Sequence, residues 1–379
     1  MALFSTYNRL PVSVKQAEGT IVEDIDGKKY LDFGSGIGVV NLGHRNPAVQ
    51  EAVEKQLNSY WHVSNLYHVP IQEEVATQIT KHSVGDYVFF CNSGAEANEA
   101  AIKLARKVTG KKTVITFKQS FHGRTFATMA ATGQEKVKDG FGPMLESFVY
   151  ATYNDITSVQ HKVDENTAAI MLEVIQGEGG VIPADTTFLA QVSELCKEKN
   201  ILLIVDEIQT GMGRTGKKFA YEHYGIEPDI FTLAKGLGNG LPVGAMVAKK
   251  EYAHAFGPGS HASTFGGNPI AMAAAKAVTE TIFTDEFLQD VKEIATYLSE
   301  QLIENIQPLA YVKEIRQKGM MIGIACHAPV APIMQKMLDK GVFVLNAGES
   351  VIRLLPPLVV TKKEIDQVVG LLKETIESL

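Results

Sequence analysis

The chain has 379 residues, 45% of them hydrophobic and 21% charged, the composition of a folded globular protein with a large core. Its formal charge of −7 leaves no global basic field for nucleic acid or an anionic membrane, so an anionic ligand must be met by local arginines or helix ends. Three widely spaced cysteines, Cys91, Cys196 and Cys326, give neither a disulfide framework nor a zinc pattern. The residues from Met1 to Arg9 lack the charged start and apolar stretch of a signal peptide, and no apolar run approaches the ~18 residues of a membrane span. The expectation is a cytoplasmic protein with no metal site and no nucleic-acid or membrane partner.

In chain order, residues 20–33 predict a hairpin turning at Asp26-Gly27. From about residue 70, strands alternate with helices. The short apolar runs Tyr87 to Phe90, Thr113 to Thr116, Ala168 to Leu172 and Ile201 to Val205 lack strict alternation, as strands buried on both faces should. This predicts an α/β fold with a mostly parallel sheet covered by helices. Past residue 280 the pattern changes to an amphipathic helix over residues 285–305, a short sheet near Gly319 to Ile324, and a last helix opened by a Thr361/Glu364 capping box. Three regions follow: an N-terminal segment (1–40) packing with a small domain, a large domain (41–280), and a smaller C-terminal α+β domain (281–379).

Three segments carry chemistry. Asn92 to Glu99 follows a strand and opens an Ala-rich helix reaching about Lys107. Small residues there leave N–H groups open at the positive end of the helix dipole, where an anion gains up to ~2 kcal/mol. Alone, this segment reads equally well as an ordinary capped helix; the lack of a following Gly-Lys-Ser/Thr excludes a P-loop. Asp206 ends the buried run Ile201 to Val205, the place where open α/β sheets set their ligands. A carboxylate there needs a cationic or hydrogen-bonding partner, and a protonated pyridine nitrogen would serve, although a Walker-B-like aspartate or a helix cap would fit the same pattern. Lys235 directly follows the run Phe231 to Ala234 and precedes Gly236, Gly238 and Gly240. Most lysines are solvated, but one held near buried surroundings has the lowered pKa an amine needs to attack a carbonyl. A phosphate cradle, an anion for a pyridinium and an amine for an aldehyde together ask for pyridoxal 5′-phosphate (PLP).

Ser93 to Ala97, Phe121-His122-Gly123-Arg124-Thr125, Asp206 to Gly216 and Ala234-Lys235-Gly236 occur in the order of, and closely resemble, the signature of the class-III aminotransferases. The likeness runs from about Phe4 to the C-terminus. It implies fold type I, with a large PLP domain, a small domain built from both chain ends, and a homodimer with shared active sites. By this resemblance Lys235 carries the cofactor, Asp206 pairs with the pyridine nitrogen, and Ser93, Gly94 and Ala95 form the phosphate turn. Phe121 and Ile208 flank the ring, Gln209 sits near its hydroxyl, and Thr264 reaches the phosphate of the neighbouring subunit's cofactor.

The resemblance also implies small-molecule substrates. Arg124 would take the α-carboxylate of an acylated ornithine and the distal carboxylate of 2-oxoglutarate or glutamate, a planar fork being suited to carboxylates. Arg353 would take the α-carboxylate of the keto acid, Glu178 would neutralise Arg353 between visits, and Ser263 would contact substrate. Ornithine aminotransferases carry a tyrosine where this chain, aligned on Asn41 to His44, has Ile37, and an apolar residue suits an acylated nitrogen better than an ammonium. The expected reaction is transamination of N2-acetyl-L-ornithine with 2-oxoglutarate; the alternative is another ω-aminotransferase acting on ornithine, succinylornithine or 4-aminobutyrate.

Other signals are weaker. Gly34 to Gly38 lacks the strand–loop–helix unit of a dinucleotide loop, and Asp32-Phe33-Gly34 lacks a kinase catalytic loop. Tyr60 to His62 with Tyr67-His68 could line a site entrance or a dimer interface and fit core and interface packing better than catalysis, and Cys91 fits a small buried residue.

Overall fold

A seven-stranded sheet forms the centre of the larger body. Its strands lie in the order Tyr87–Cys91, Gly244–Ala248, Ile230–Leu233, Leu202–Asp206, Thr167–Leu172, Thr113–Phe117 and Phe148–Ala151. The last five run parallel, while Gly244–Ala248 is antiparallel to both its neighbours. The computed structural model describes residues 2–379; Met1, with which the N-terminal segment opens, lies outside them. Thr167–Leu172 and Leu202–Asp206 are buried at every position, which is why their sequences are apolar without alternation. Parallel strands need crossovers, and the helices Gly94–Thr109 and Thr186–Lys199 supply two of them. Left-handed Gly110 ends the first, and Asn200 the second, each turning the chain back toward the sheet.

A second core forms around an antiparallel sheet of Val312–Lys318, Met321–Cys326, Val351–Leu354 and Leu345–Asn346, in that order. The helices Asp285–Asn305, Ala331–Asp339 and Lys362–Glu377 bury Leu298, Met337 and Val368 together with Ile322 and Ile352 of that sheet. The N-terminal hairpin joins this region. Ile21–Asp24 pairs with Lys29–Asp32, which pairs in parallel with Val342–Phe343, so the two ends of the chain meet. Asp24 holds the turn by accepting from the backbone N–H of Asp26 and of Lys28 at 3.0 and 2.9 Å. Among the described residues no helix is long and apolar enough to cross a membrane.

The last helix is tied at its start by a reciprocal cap. The Thr361 hydroxyl accepts from the Glu364 N–H at 3.3 Å, and the Glu364 carboxylate accepts from the Thr361 N–H at 2.7 Å. Glu364 also accepts from the Thr20 hydroxyl, joining this helix to the N-terminal hairpin. Thr361→Ala is expected to cost ~1 kcal/mol and to lower the thermal midpoint by about 2 °C. An unchanged midpoint in a melting experiment would show that the cap contributes nothing.

Candidate active site

The carboxyl ends of the central parallel strands open into a cavity of about 420 Å³. Three chain reversals build it. After Tyr87–Cys91, Ser93 caps the next helix by accepting from the Glu96 N–H at 3.2 Å, while the Glu96 carboxylate accepts from the Asn92 N–H at 2.6 Å. The N–H groups of Gly94 and Ala95 are left without an acceptor among the described residues and line the cavity at the positive end of the helix. A Cβ on Gly94 would come within 2.7 Å of the Ile208 side chain, so glycine lets the turn and Ile208 approach each other. After Ile230–Leu233 the chain turns sharply at Lys235, whose φ of +41° is a strained backbone state for a residue with a side chain.

Asp206 ends Leu202–Asp206 and is almost wholly buried. One oxygen accepts from Asn98 Nδ2 and from His122 Nδ1, both at 2.8 Å, and the other from the Ile208 N–H at 3.1 Å. Asn98 is itself oriented by the Thr232 hydroxyl at 2.7 Å. Burial opposes an imidazolium at His122, yet Asp206 draws the pKa of His122 above its ordinary value. Lys235 lies in the same cavity and its ammonium makes no hydrogen bond or ion pair among the described residues. Burial lowers its pKa; Glu178 works against that shift and Arg353 with it.

Phe121, Ile208 and Gln209 line the cavity, as does Arg124, whose guanidinium lies 5.7 Å from the Phe121 ring centre. Arg124 is solvent-exposed, whereas Arg353 is only 2% exposed. Arg353 reaches the site from Val351–Leu354 and donates to Glu178 at 2.6 Å and to Gln209 at 3.4 Å. Burial disfavours the charge on Glu178, but Arg353 outweighs it and holds the carboxyl below its ordinary range. One arginine thus stands open and the other is covered by a carboxylate.

Ser263 and Thr264 do not line this cavity. They border a neighbouring one of about 760 Å³, where Ser263 Oγ accepts from Asn92 Nδ2 at 3.1 Å and Thr264 is exposed. Ile37 also stands outside the cavity, 44% exposed, in a left-handed run of four residues from Ser35 to Gly38; it is Val39 that reaches the cavity wall. Residues without a role in the sequence reading are prominent here. His122 and Asn98 hold Asp206, and Glu173 accepts from the N–H of Phe121 at 3.0 Å and of Gly177 at 3.3 Å. Glu173 had a readable signal, because it follows the fully buried strand Thr167–Leu172 just as Asp206 ends its own.

A helix start with free N–H groups, a buried carboxylate and an unpaired lysine around one cavity, on a fold type I scaffold, are the site of a PLP-dependent aminotransferase. The family model described as Aminotransferase class-III matches residues 4–376, and the chain belongs to that family. It is 58% identical over 376 residues to the acetylornithine aminotransferase of Bacillus subtilis (strain 168), covering 99% of this chain and 97% of that one. Among solved structures, N-acetylornithine aminotransferase from Stenotrophomonas maltophilia K279a superposes with a TM-score of 0.86 at 34% identity, covering 99% of this chain and 98% of that chain. Ornithine aminotransferase from Toxoplasma gondii, in a structure reporting partial occupancy of PLP at the active site, gives 0.94 at 29% identity, covering 99% and 92%.

The Glu173 carboxyl is pushed up to about 7, first by burial, with Asp206 adding to the shift and His122 opposing it. Between pH ~4.5 and 7 the folded chain therefore binds a proton that the unfolded chain has released, so this group's contribution to stability falls as pH rises through that window. Glu173→Gln should gain in thermal midpoint relative to the parent as pH rises from 5 to 8. A midpoint difference independent of pH would remove the buried-acid assignment.

Proposed function

We propose that this enzyme transfers the terminal amino group of N2-acetyl-L-ornithine to 2-oxoglutarate, giving N-acetyl-L-glutamate 5-semialdehyde and L-glutamate, a step of arginine biosynthesis. The near full-length identity to an acetylornithine aminotransferase carries the reading, and the unequal pair of arginines supports it. The cavity fits PLP. Its free helix-end N–H groups suit a phosphate, its buried carboxylate suits a pyridinium, and its unpaired lysine suits an aldehyde.

Bound PLP supplies an aldehyde for the donor amine and a ring that accepts the electrons of a breaking C–H bond. Gly94 and Ala95 donate to the phosphate, and Ser93 fixes their turn. Asp206, held by Asn98 and His122, keeps the proton on the pyridine nitrogen. Phe121 and Ile208, on the cavity wall, would restrain the two ring faces, and Gln209 would hold the ring hydroxyl. Lys235 anchors the cofactor at rest. As a free amine it would take the proton from the substrate carbon as general base and return it as general acid, roles its lowered pKa favours.

Arg124 receives the α-carboxylate of acetylornithine, or the distal carboxylate of 2-oxoglutarate. Arg353 receives the α-carboxylate of the keto acid once Glu178 swings aside. While a monocarboxylate donor is bound, Glu178 keeps Arg353 neutralised, in keeping with their 2.6 Å contact. We also assign a cytoplasmic homodimer in which Thr264 completes the partner's phosphate site and Ser263 faces substrate. The exposed Leu66, Tyr67 and Phe265 beside Thr264 support burial of that face in a dimer. The large and small regions divide near residues 40 and 280.

The likeness to an ornithine aminotransferase structure makes ornithine the competing donor. Val39, the residue of that segment that lines the cavity, argues against it, since an apolar side chain there offers a free α-ammonium no acceptor. A single-turnover spectral titration of the PLP form with N-acetylornithine, ornithine and 4-aminobutyrate decides between them. N-acetylornithine should convert the cofactor to its amine form with the highest rate constant and the lowest half-saturation. Faster conversion by either of the others would move the donor assignment while leaving family and cofactor in place.

A further inference from the structure

Arg214 is fully buried, yet no carboxylate pairs with it among the described residues. Its guanidinium is held by three neutral oxygens. Nη1 donates to the Met320 carbonyl at 3.1 Å and to the Pro356 carbonyl at 2.5 Å, and Nη2 donates to Asn41 Oδ1 at 2.6 Å. The Arg214 carbonyl in turn accepts from the Met320 N–H at 2.9 Å. Burying a cation with no carboxylate in contact, Asp32 acting on it only from a distance, is costly, so a residue that only filled space here would be better apolar. What a guanidinium offers is a rigid planar fork that holds several acceptors at fixed angles.

Those acceptors sit at telling places. Met320 directly precedes Met321–Cys326, and Pro356 closely follows Val351–Leu354, the strand that carries Arg353. These two strands are antiparallel partners, with Arg353 opposite Gly323, so Arg214 grips both at one end. Asn41 links the grip to the cofactor side. Its Nδ2 donates to the Met212 carbonyl at 2.8 Å, its carbonyl accepts from the Leu358 N–H at 2.7 Å, and it packs so closely on Gly236 that a Cβ there would lie 2.5 Å from its amide nitrogen. Arg214 itself follows, by five residues, Gln209, which Arg353 contacts.

We propose that Arg214 is a positioning residue for the dicarboxylate substrate: it fixes the strand bearing Arg353 against the loop bearing Gln209, so that Arg353 meets the α-carboxylate of the keto acid. Arg214 touches no cavity wall and acts only through Arg353. The inference rests on the role given to Arg353 under the proposed function.

The test compares single-turnover half-saturation for glutamate and for N-acetylornithine in the PLP-loaded enzyme and its variants Arg214→Gln, Arg214→Lys and Arg353→Lys. Arg214→Gln should raise the glutamate value at least tenfold while the N-acetylornithine value stays within twofold. Arg214→Lys, which keeps the charge but not the fork, should fall between Arg214→Gln and the parent, and it decides the matter should Arg214→Gln fail to fold. A glutamate value within twofold of the parent in the folded variants overturns the proposal, as does an equal rise for both donors, the sign of general loosening. If Arg353→Lys leaves the glutamate value unchanged, the Arg353 assignment falls and this inference with it. Should N-acetylornithine not react with the parent enzyme, only the donor assignment fails; ornithine then serves as the comparison donor.

Discussion

The site depends on one buried carboxylate. Asp206 sits where a parallel strand ends, out of water, and a carboxylate there is tolerable only if it is well hydrogen-bonded. Asn98, His122 and the Ile208 N–H provide those hydrogen bonds from one side. That fixes the carboxylate's direction and leaves its field to act in the cavity. The neighbours bear its mark: it draws the His122 pKa up against burial, and it adds to the burial that pushes Glu173 toward neutrality. Across the cavity, burial moves Lys235 the opposite way. A buried, hydrogen-bonded carboxylate and an amine made easier to deprotonate are the two settings that carbonyl–amine chemistry needs at neutral pH.

Around this fixed centre the substrate groups are arranged by contrast. Arg124 is open and Arg353 is covered by Glu178, so the cavity presents one free cationic fork and one paired with a carboxylate. Arg353 belongs to a different sheet from Asp206 and Lys235, and its alignment with them is a matter of how two cores meet. Arg214 and Asn41 lie at that meeting, away from the reacting atoms.

Much of this was legible in the residues. Apolar runs located Tyr87–Cys91, Thr113–Phe117 and Leu202–Asp206 to within a residue or two. Only the last two are buried as the lack of alternation implied; Tyr87–Cys91 is an edge strand, half-buried with Tyr87 exposed. The Asp26-Gly27 turn and the Thr361 cap are local chemistry and needed no tertiary information. Gly244–Ala248 was not legible, because glycine and alanine have little intrinsic preference for strands and only its neighbours make it one. Edge strand Phe148–Ala151 is half-buried and too short to show a period. Within the site, residues in local motifs could be named from their order along the chain. Asn98 could not, since it acts on a group that only folding brings near, whereas Glu173 stood readable at the end of a buried strand. Ile37 shows the limit of alignment: position along the chain identified it, but its left-handed backbone carries it outside the cavity of the single chain.

The most direct measurement of the account is the single-turnover rate constant for N-acetylornithine in Asp206→Asn, a substitution of nearly equal shape that removes the charge. If Asp206 holds the proton on the cofactor's ring nitrogen, the rate constant should fall by about a hundredfold or more while the folded protein keeps its thermal midpoint to within a few degrees. A rate constant within twofold of the parent would contradict the account, because the charge on which the site is built would then do nothing for the reaction.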